Sequence, residues 1–148
     1  MNTLDPIVIR GSLPTQAMKP AVGASPWPRR NAAAAMRKQW AYLGVRTGHH
    51  NRNHERFHIV YRYCPPGRSW SSNVGKLMPM KDKPYCPRDR DNARAAAKPA
   101  IDGLNDAGVI KDDTHKNVLS DKVEFLPIPT TGPGFLEIVI IPEVEGGS

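Results

Sequence analysis

No apolar run in the sequence approaches the roughly twenty residues that a helix needs to cross a bilayer, so the pattern excludes a helical membrane span. The opening residues lack the charged start and apolar stretch of a secretory signal, and the cytoplasm is the expected location. Cysteine is scarce. Cys64 and Cys86 are the only two, too few for the disulfide framework of a small secreted domain, and reduced thiols are expected. Apolar residues make up only 39% of the 148, enough for one modest core with part of the chain left as loop. No segment repeats, which argues against a solenoid. Acids are nearly missing from residues 1 to 81, where Asp5 and Glu55 stand against thirteen Lys/Arg.

Proline and glycine, by contrast, are plentiful at fifteen and twelve, and they gather in residues 11 to 30, 64 to 87 and 127 to 134. Neither residue suits the interior of a helix or strand, so residues 1–148 read as one domain with flexible segments at 11–30 and 64–87. Between these segments the pattern is regular. Pro6 to Arg10 reads as a short strand, and Asn31 as the N-cap of a helix running to about Leu43, with Met36, Trp40 and Leu43 inward and Gly44 ending it. Alternation of Phe57, Ile59, Tyr61 and Tyr63 with polar or smaller residues predicts a strand over 56–63. A second helix is expected within Asn92 to Asp106, burying Ala97, Ile101 and Leu104 and closing at Gly108. Strands at about 118–126 and 135–141 complete an α+β fold: a small mixed or antiparallel sheet of about four strands with two main helices packed on it.

Charge divides the chain. Residues 1 to 81 carry a balance of +11, whereas residues 82 to 148 hold eight Lys/Arg and twelve acids, a balance of −4. A basic protein that only coated nucleic acid would gain nothing from carboxylates beside its phosphate-binding surface. Phosphodiester cleavage does use them, because hard Mg²⁺ or Mn²⁺ ions prefer carboxylate and phosphate oxygens. Four carboxylates bracket the second helix: Asp89 and Asp91 before it, Asp112 and Asp113 after it. Residues two apart share a direction on extended backbone, so Asp89 and Asp91 can face one cation there, with Asp91 or Asn92 capping the helix. The positive end of that helix also favours a phosphate.

The stretch Arg88-Asp89-Arg90-Asp91-Asn92, followed by Lys98-Pro99-Ala100-Ile101-Asp102-Gly103-Leu104, Ala107-Gly108-Val109-Ile110 and Asp112-Asp113, resembles the RusA family of Holliday junction resolvases. The likeness covers residues 88 to 113 closely, extends loosely to Ile141, and is weak before residue 56. It implies a RusA-like fold and a homodimeric, Mg²⁺-dependent endodeoxyribonuclease that nicks four-way DNA junctions symmetrically during recombination and repair. By position, Asp89, Asp91 and Asp113 match the family's metal-binding aspartates and Lys98 its catalytic lysine, with Asp112 as a neighbouring acid able to ligate. Asn92 matches the residue after the second aspartate, which orients a ligand or caps the helix.

Departures from the family pattern locate the open questions. The spacer Ala93 to Ala97 is about three residues longer than in founding members, a little under one helical turn, so Lys98 can keep the face of Asp91. Pro99 lacks an N–H and opposes the Ala95 carbonyl, which predicts a kink or a fresh helix start, with Arg94 as substitute cation should Lys98 turn away. The segment from Cys64 to Pro87 carries Arg68, Trp70, Lys76, Lys81 and Lys83 and suits either a surface loop or a flap on DNA. Arg88, Arg90, Arg94, Arg29, Arg30, Arg37 and Lys38 are candidate DNA contacts beside Asn92, with Trp27 near them. A competing reading takes His49, His50, His54, His58, Cys64 and Cys86 as zinc ligands of a DNA-binding module without nuclease activity, although no Cys-x-x-Cys pair is present. A metal-free DNA-binding module and a general nuclease of branched DNA are further alternatives.

Overall fold

The computed structural model describes residues 5–20, 26–67, 70–71, 76–77, 84–129 and 132–143. In chain order these form β1 (Ile7–Gly11), a single 3-10 turn (Gln16–Met18), α1 (Pro26–Arg46), β2 (Phe57–Cys64), the short pair β3 (Trp70–Ser71) and β4 (Lys76–Leu77), α2 (Arg90–Asp106), β5 (Val118–Phe125) and β6 (Phe135–Pro142). The main sheet has the order β1-β6-β2-β5, antiparallel at β1–β6 and β6–β2 and parallel at β2–β5. It is the expected α+β fold: a four-strand mixed sheet with two helices packed on it. A parallel pair cannot be joined by a hairpin, and α2 lies within the crossover from β2 to β5. That connection places α2 over the parallel half of the sheet.

Both helices cover one face. Ile7 and Ile9 of β1, Phe57, Ile59, Tyr61 and Tyr63 of β2, Val123 of β5 and Leu136, Ile138 and Ile140 of β6 form a core with Met36 and Trp40 of α1 and Ala93, Ala97, Ile101 and Leu104 of α2. Full burial of side chains such as Ile101 or Leu104 contributes about 2 kcal/mol each. The alternate strand positions carry a cross-strand row on the other face: Arg10 beside Glu137, Glu137 beside Arg62, Arg62 beside Glu124. Arg10 and Arg62 each pair with Glu137, at 3.0 and 2.9 Å, and the Glu137 side chain is only 7% exposed.

The helices differ in detail from the sequence expectation. α1 starts at Pro26, not after Asn31, and runs past Gly44 to Arg46. Proline is compatible with a first helical turn, where its missing N–H has no partner to lose, so Pro26 and Pro28 begin the helix instead of barring it. Gly44 does not end α1; it is a contact point, since a Cβ there would lie 2.9 Å from the Cβ of Ala107. α2 is continuous from Arg90 to Asp106 with Pro99 buried inside it, so the helix does not begin afresh at Pro99. Gly103 sets the α1–α2 crossing: a Cβ there would fall 2.3 Å from the Arg37 carbonyl oxygen. Gly108, at φ +73°, turns the chain after α2, as expected.

The four main strands lie within one residue of the expected bounds. Residues 13 to 18 of the proline-rich connection are packed: Leu13 and Met18 are buried, and the Tyr85 amide donates to the Pro14 carbonyl. Arg68, Lys81 and Lys83 lie outside the described residues, as do residues 21–25. Among the described residues no helix is long and apolar enough to cross a membrane.

Candidate active site on the second helix

Asp89 starts the site. Its backbone is extended, and its Oδ1 accepts from the amides of Asp91 (2.8 Å) and Asn92 (3.3 Å), so Asp89 is the N-cap of α2. Asp91 and Asn92, expected as caps, are instead in the first helical turn. The correction has a physical consequence: Asp89 and Asp91 do not stand two apart on a strand, and one oxygen of Asp89 is committed to the helix end. The turn is anchored from below, where the buried Tyr63 hydroxyl donates to the Ala93 carbonyl at 2.5 Å. Burial drives the Tyr63 phenol far above its ordinary range, so it remains a donor.

Successive turns of α2 then present one charge each. Asp91 has a 97% exposed side chain; Arg94, three residues on, directs Nη1 to within 3.6 Å of it. The Arg94 Nε donates to Asp121 Oδ2 at 3.1 Å, reaching across to β5. One further turn along, Lys98 forms ion pairs with Asp102 at 3.0 Å and with Asp113. Asp113 thus comes back to the α2 face after the Gly108 turn, where it meets Lys98. Asp112 plays a local part, accepting the Asp113 amide at 2.8 Å.

Arg94, Lys98, Asp113, His115, Asp121 and Tyr61 line one cleft of about 450 Å³. Tyr61 sits at its floor with its phenol pushed up to about 12, first by burial and then by Asp121, with Arg94 opposing. On the other flank of α2, Arg29, Arg30, Asn92 and Lys98 share a second cleft of similar volume with Met18 and Asp102. Arg88 borders a larger, mostly apolar cleft of about 830 Å³ with Lys19, Tyr85 and Phe125. Arg90 is exposed at the start of the helix.

The basic candidates on α1 separate by what holds them. Arg37 makes two hydrogen bonds to Asp106, at 2.6 and 2.8 Å, and this pairing raises the guanidinium pKa and lowers that of Asp106. It is a clamp between α1 and the end of α2. Arg29 donates to the Met18 carbonyl at 3.2 Å, Arg30 stands over the Trp27 ring at 5.5 Å, and Lys38 is exposed.

Carboxylates are the donors that a hard dication takes, and α2 and its neighbours supply them. Among the described residues, however, no three His, Cys, Asp or Glu side chains come together as a metal-holding group. The nearest partners of Asp91 and Asp113 are Arg94 and Lys98. The zinc candidates are likewise dispersed. His58 lies on the sheet face opposite the helices, 2.6 Å from Ser120, while Cys64 is buried and Cys86 half-buried. His49 and His54 are partly buried in the loop after α1, where burial and then Arg52 lower both pKa values and favour neutral rings.

Sequence reasoning missed Asp121. In Ser120-Asp121-Lys122 it looks like a solvated strand residue, and only the parallel register, which pairs it with Ile59, puts it on the helix side. No protein-family model matches the chain, and no curated protein matches it significantly.

Proposed function

We propose that the protein is a Mg²⁺-dependent, structure-specific endodeoxyribonuclease of the RusA type that cuts branched DNA, with four-way junctions as its substrate. The observation that carries this reading is the meeting of Asp113 with Lys98 on the face of α2 that also bears Arg94 and Asp91. Acids and bases from two separated segments share one open cleft in a basic protein. A general binding surface has no use for that alternation, whereas phosphoryl transfer needs acids for a cation and bases for the phosphate.

In this reading, which takes its ligand set from the RusA resemblance, Asp89, Asp91 and Asp113 would hold the ion, with Asp112 beside them, and Mn²⁺ could replace Mg²⁺. Among the described residues these acids do not stand together as a metal-holding group. A bound Mg²⁺ would supply Lewis-acid activation of the water and of the scissile phosphate. Lys98 neutralises charge growing on the non-bridging phosphate oxygens, and Arg94 assists it. Asn92, Arg29 and Arg30, which border the second cleft, hold the neighbouring backbone phosphates by charge and hydrogen bonds. Arg88 and Arg90 extend this contact before the helix, and Lys38 does so along α1. The products carry 5′-phosphate and 3′-hydroxyl ends. Paired nicks in opposing strands require two sites, hence a homodimer, acting in the cytoplasm where the DNA lies.

Cleavage of a mobile four-way junction and of linear duplex, each with Mg²⁺ and with chelator, tests the proposal. Junction-selective, Mg²⁺-dependent nicking is expected. Equal cutting of both substrates points to a general nuclease, and binding without cutting, with stoichiometric zinc in the purified protein, to a binding module.

A further inference from the structure

We propose that Asp121 is a positioning residue that fixes Arg94 as the second phosphate-contacting cation of the site. The inference rests on the nuclease reading and extends it to a residue on β5. Asp121 projects from the sheet face that the helices cover, between the partly buried Leu119 and the buried Val123. The Asp121 side chain is still 38% exposed, so a charge-assisted hydrogen bond to it serves geometry more than stability. Arg94 makes that bond through Nε at 3.1 Å.

The choice of nitrogen matters. Guanidinium is a planar fork of five N–H donors, and holding it by Nε leaves the terminal nitrogens for other partners. One of them, Nη1, is 3.6 Å from Asp91, beside the first turn of α2. Asp121 itself stands on the edge strand β5, paired in parallel with β2, so the hydrogen bond ties a long helical side chain to the sheet. Lys98, by contrast, is held by Asp102 of its own helix and by Asp113. The two cations are therefore set by different elements: Lys98 by α2 and the loop after it, Arg94 by the sheet. A preset guanidinium spends little conformational freedom on meeting the phosphate in the transition state, and that advantage appears in turnover more than in DNA affinity.

A double-mutant cycle on the full-length protein tests this. Mg²⁺-dependent junction cleavage is measured for the parent, D121N, R94A and R94A/D121N, together with junction affinity in Ca²⁺ and with D121E as the conservative variant. D121N is expected to lower kcat about tenfold with KM and junction Kd changed less than twofold. D121E should recover part of the loss, and in the R94A background D121N should cost nothing further. Equal losses from D121N in both backgrounds, or an unchanged kcat, overturn the inference while leaving the nuclease reading standing. A parent that cuts no DNA with Mg²⁺ overturns the reading and this inference together.

Discussion

The two faces of the sheet each carry a chain of alternating charges, and they are built differently. On the face opposite the helices, Arg10, Glu137, Arg62 and Glu124 lie side by side on four strands, with Glu137 7% exposed at the centre. On the helix side, Asp91, Arg94 and Asp121, and then Asp102, Lys98 and Asp113, come from one helix, one loop and one strand, with Arg94, Lys98, Asp113 and Asp121 lining an open cleft. The first network is in strand register and has its central charge removed from water; the second is half exposed and converges from separate segments. A buried, register-locked network specifies how strands pair. An exposed, converging one contributes little to stability, because solvent screens it, and its cost in ordered side chains calls for another explanation. Substitutions in each network should separate the two roles.

The largest effect should come from the cleft. Asp91→Asn and Asp113→Asn keep side-chain volume and remove the negative charge; each is expected to abolish Mg²⁺-dependent junction cleavage, a loss of at least about a thousandfold. Their thermal midpoints should stay within a few degrees of the parent, measured by circular dichroism. Parental cutting by D91N would remove the acid from the mechanism and leave the cleft unexplained.

The face opposite the helices should respond in the opposite way. R10M/R62M leaves Glu137 buried without a cation, and about 3 kcal/mol of destabilisation is expected by denaturant titration. Residual cleavage per folded molecule should be unchanged. A stable double variant would mean that the row is ornamental, and the contrast between the faces would lose its basis. Gly103→Ala should cost about 2 kcal/mol, because the added carbon meets the Arg37 carbonyl and must push α1 from α2. Its effect on the cleft would then report how tightly the helix crossing holds the site.

Much of this arrangement was readable in the chain. The end of α2 was legible because Gly108 can adopt the positive φ that reverses the chain, and that reversal returns Asp113 to Lys98. The strands were legible from alternation, as in Phe57, Ile59, Tyr61 and Tyr63, whose aromatic and branched side chains have only one apolar face to fill. What escaped was set by tertiary geometry. Pro26 and Pro28 looked like breakers because their tolerance depends on falling in the first turn. Asp89, not Asp91, became the cap because capping depends on which residue keeps extended backbone. Asp121 was invisible until the parallel pairing of β5 with β2 gave it a side of the sheet. The register is a long-range property, and no local pattern encodes which of two faces a lone aspartate will occupy.

The smallest expected effect concerns Arg37 and Asp106, a charge pair that lies between the two classes. Its geometry is good, with two hydrogen bonds, yet both side chains are about half exposed. Solvent screening therefore keeps its contribution small, and Arg37→Ala should lower the midpoint only slightly at neutral pH. Its signature is in the pH dependence. The guanidinium holds the Asp106 carboxyl below its ordinary 3.8 in the folded state, so between the two values the unfolded chain binds more protons than the folded one. The pair's contribution is present above about pH 4 and is lost as the pH falls through the lower, folded value. Unfolding titrations from pH 6 down to pH 3 should accordingly show parent and R37A converging at the acid end. Curves that stay parallel would mean that Arg37 acts by packing its stem between the helices, and that the charge of this clamp is incidental to the α1–α2 contact.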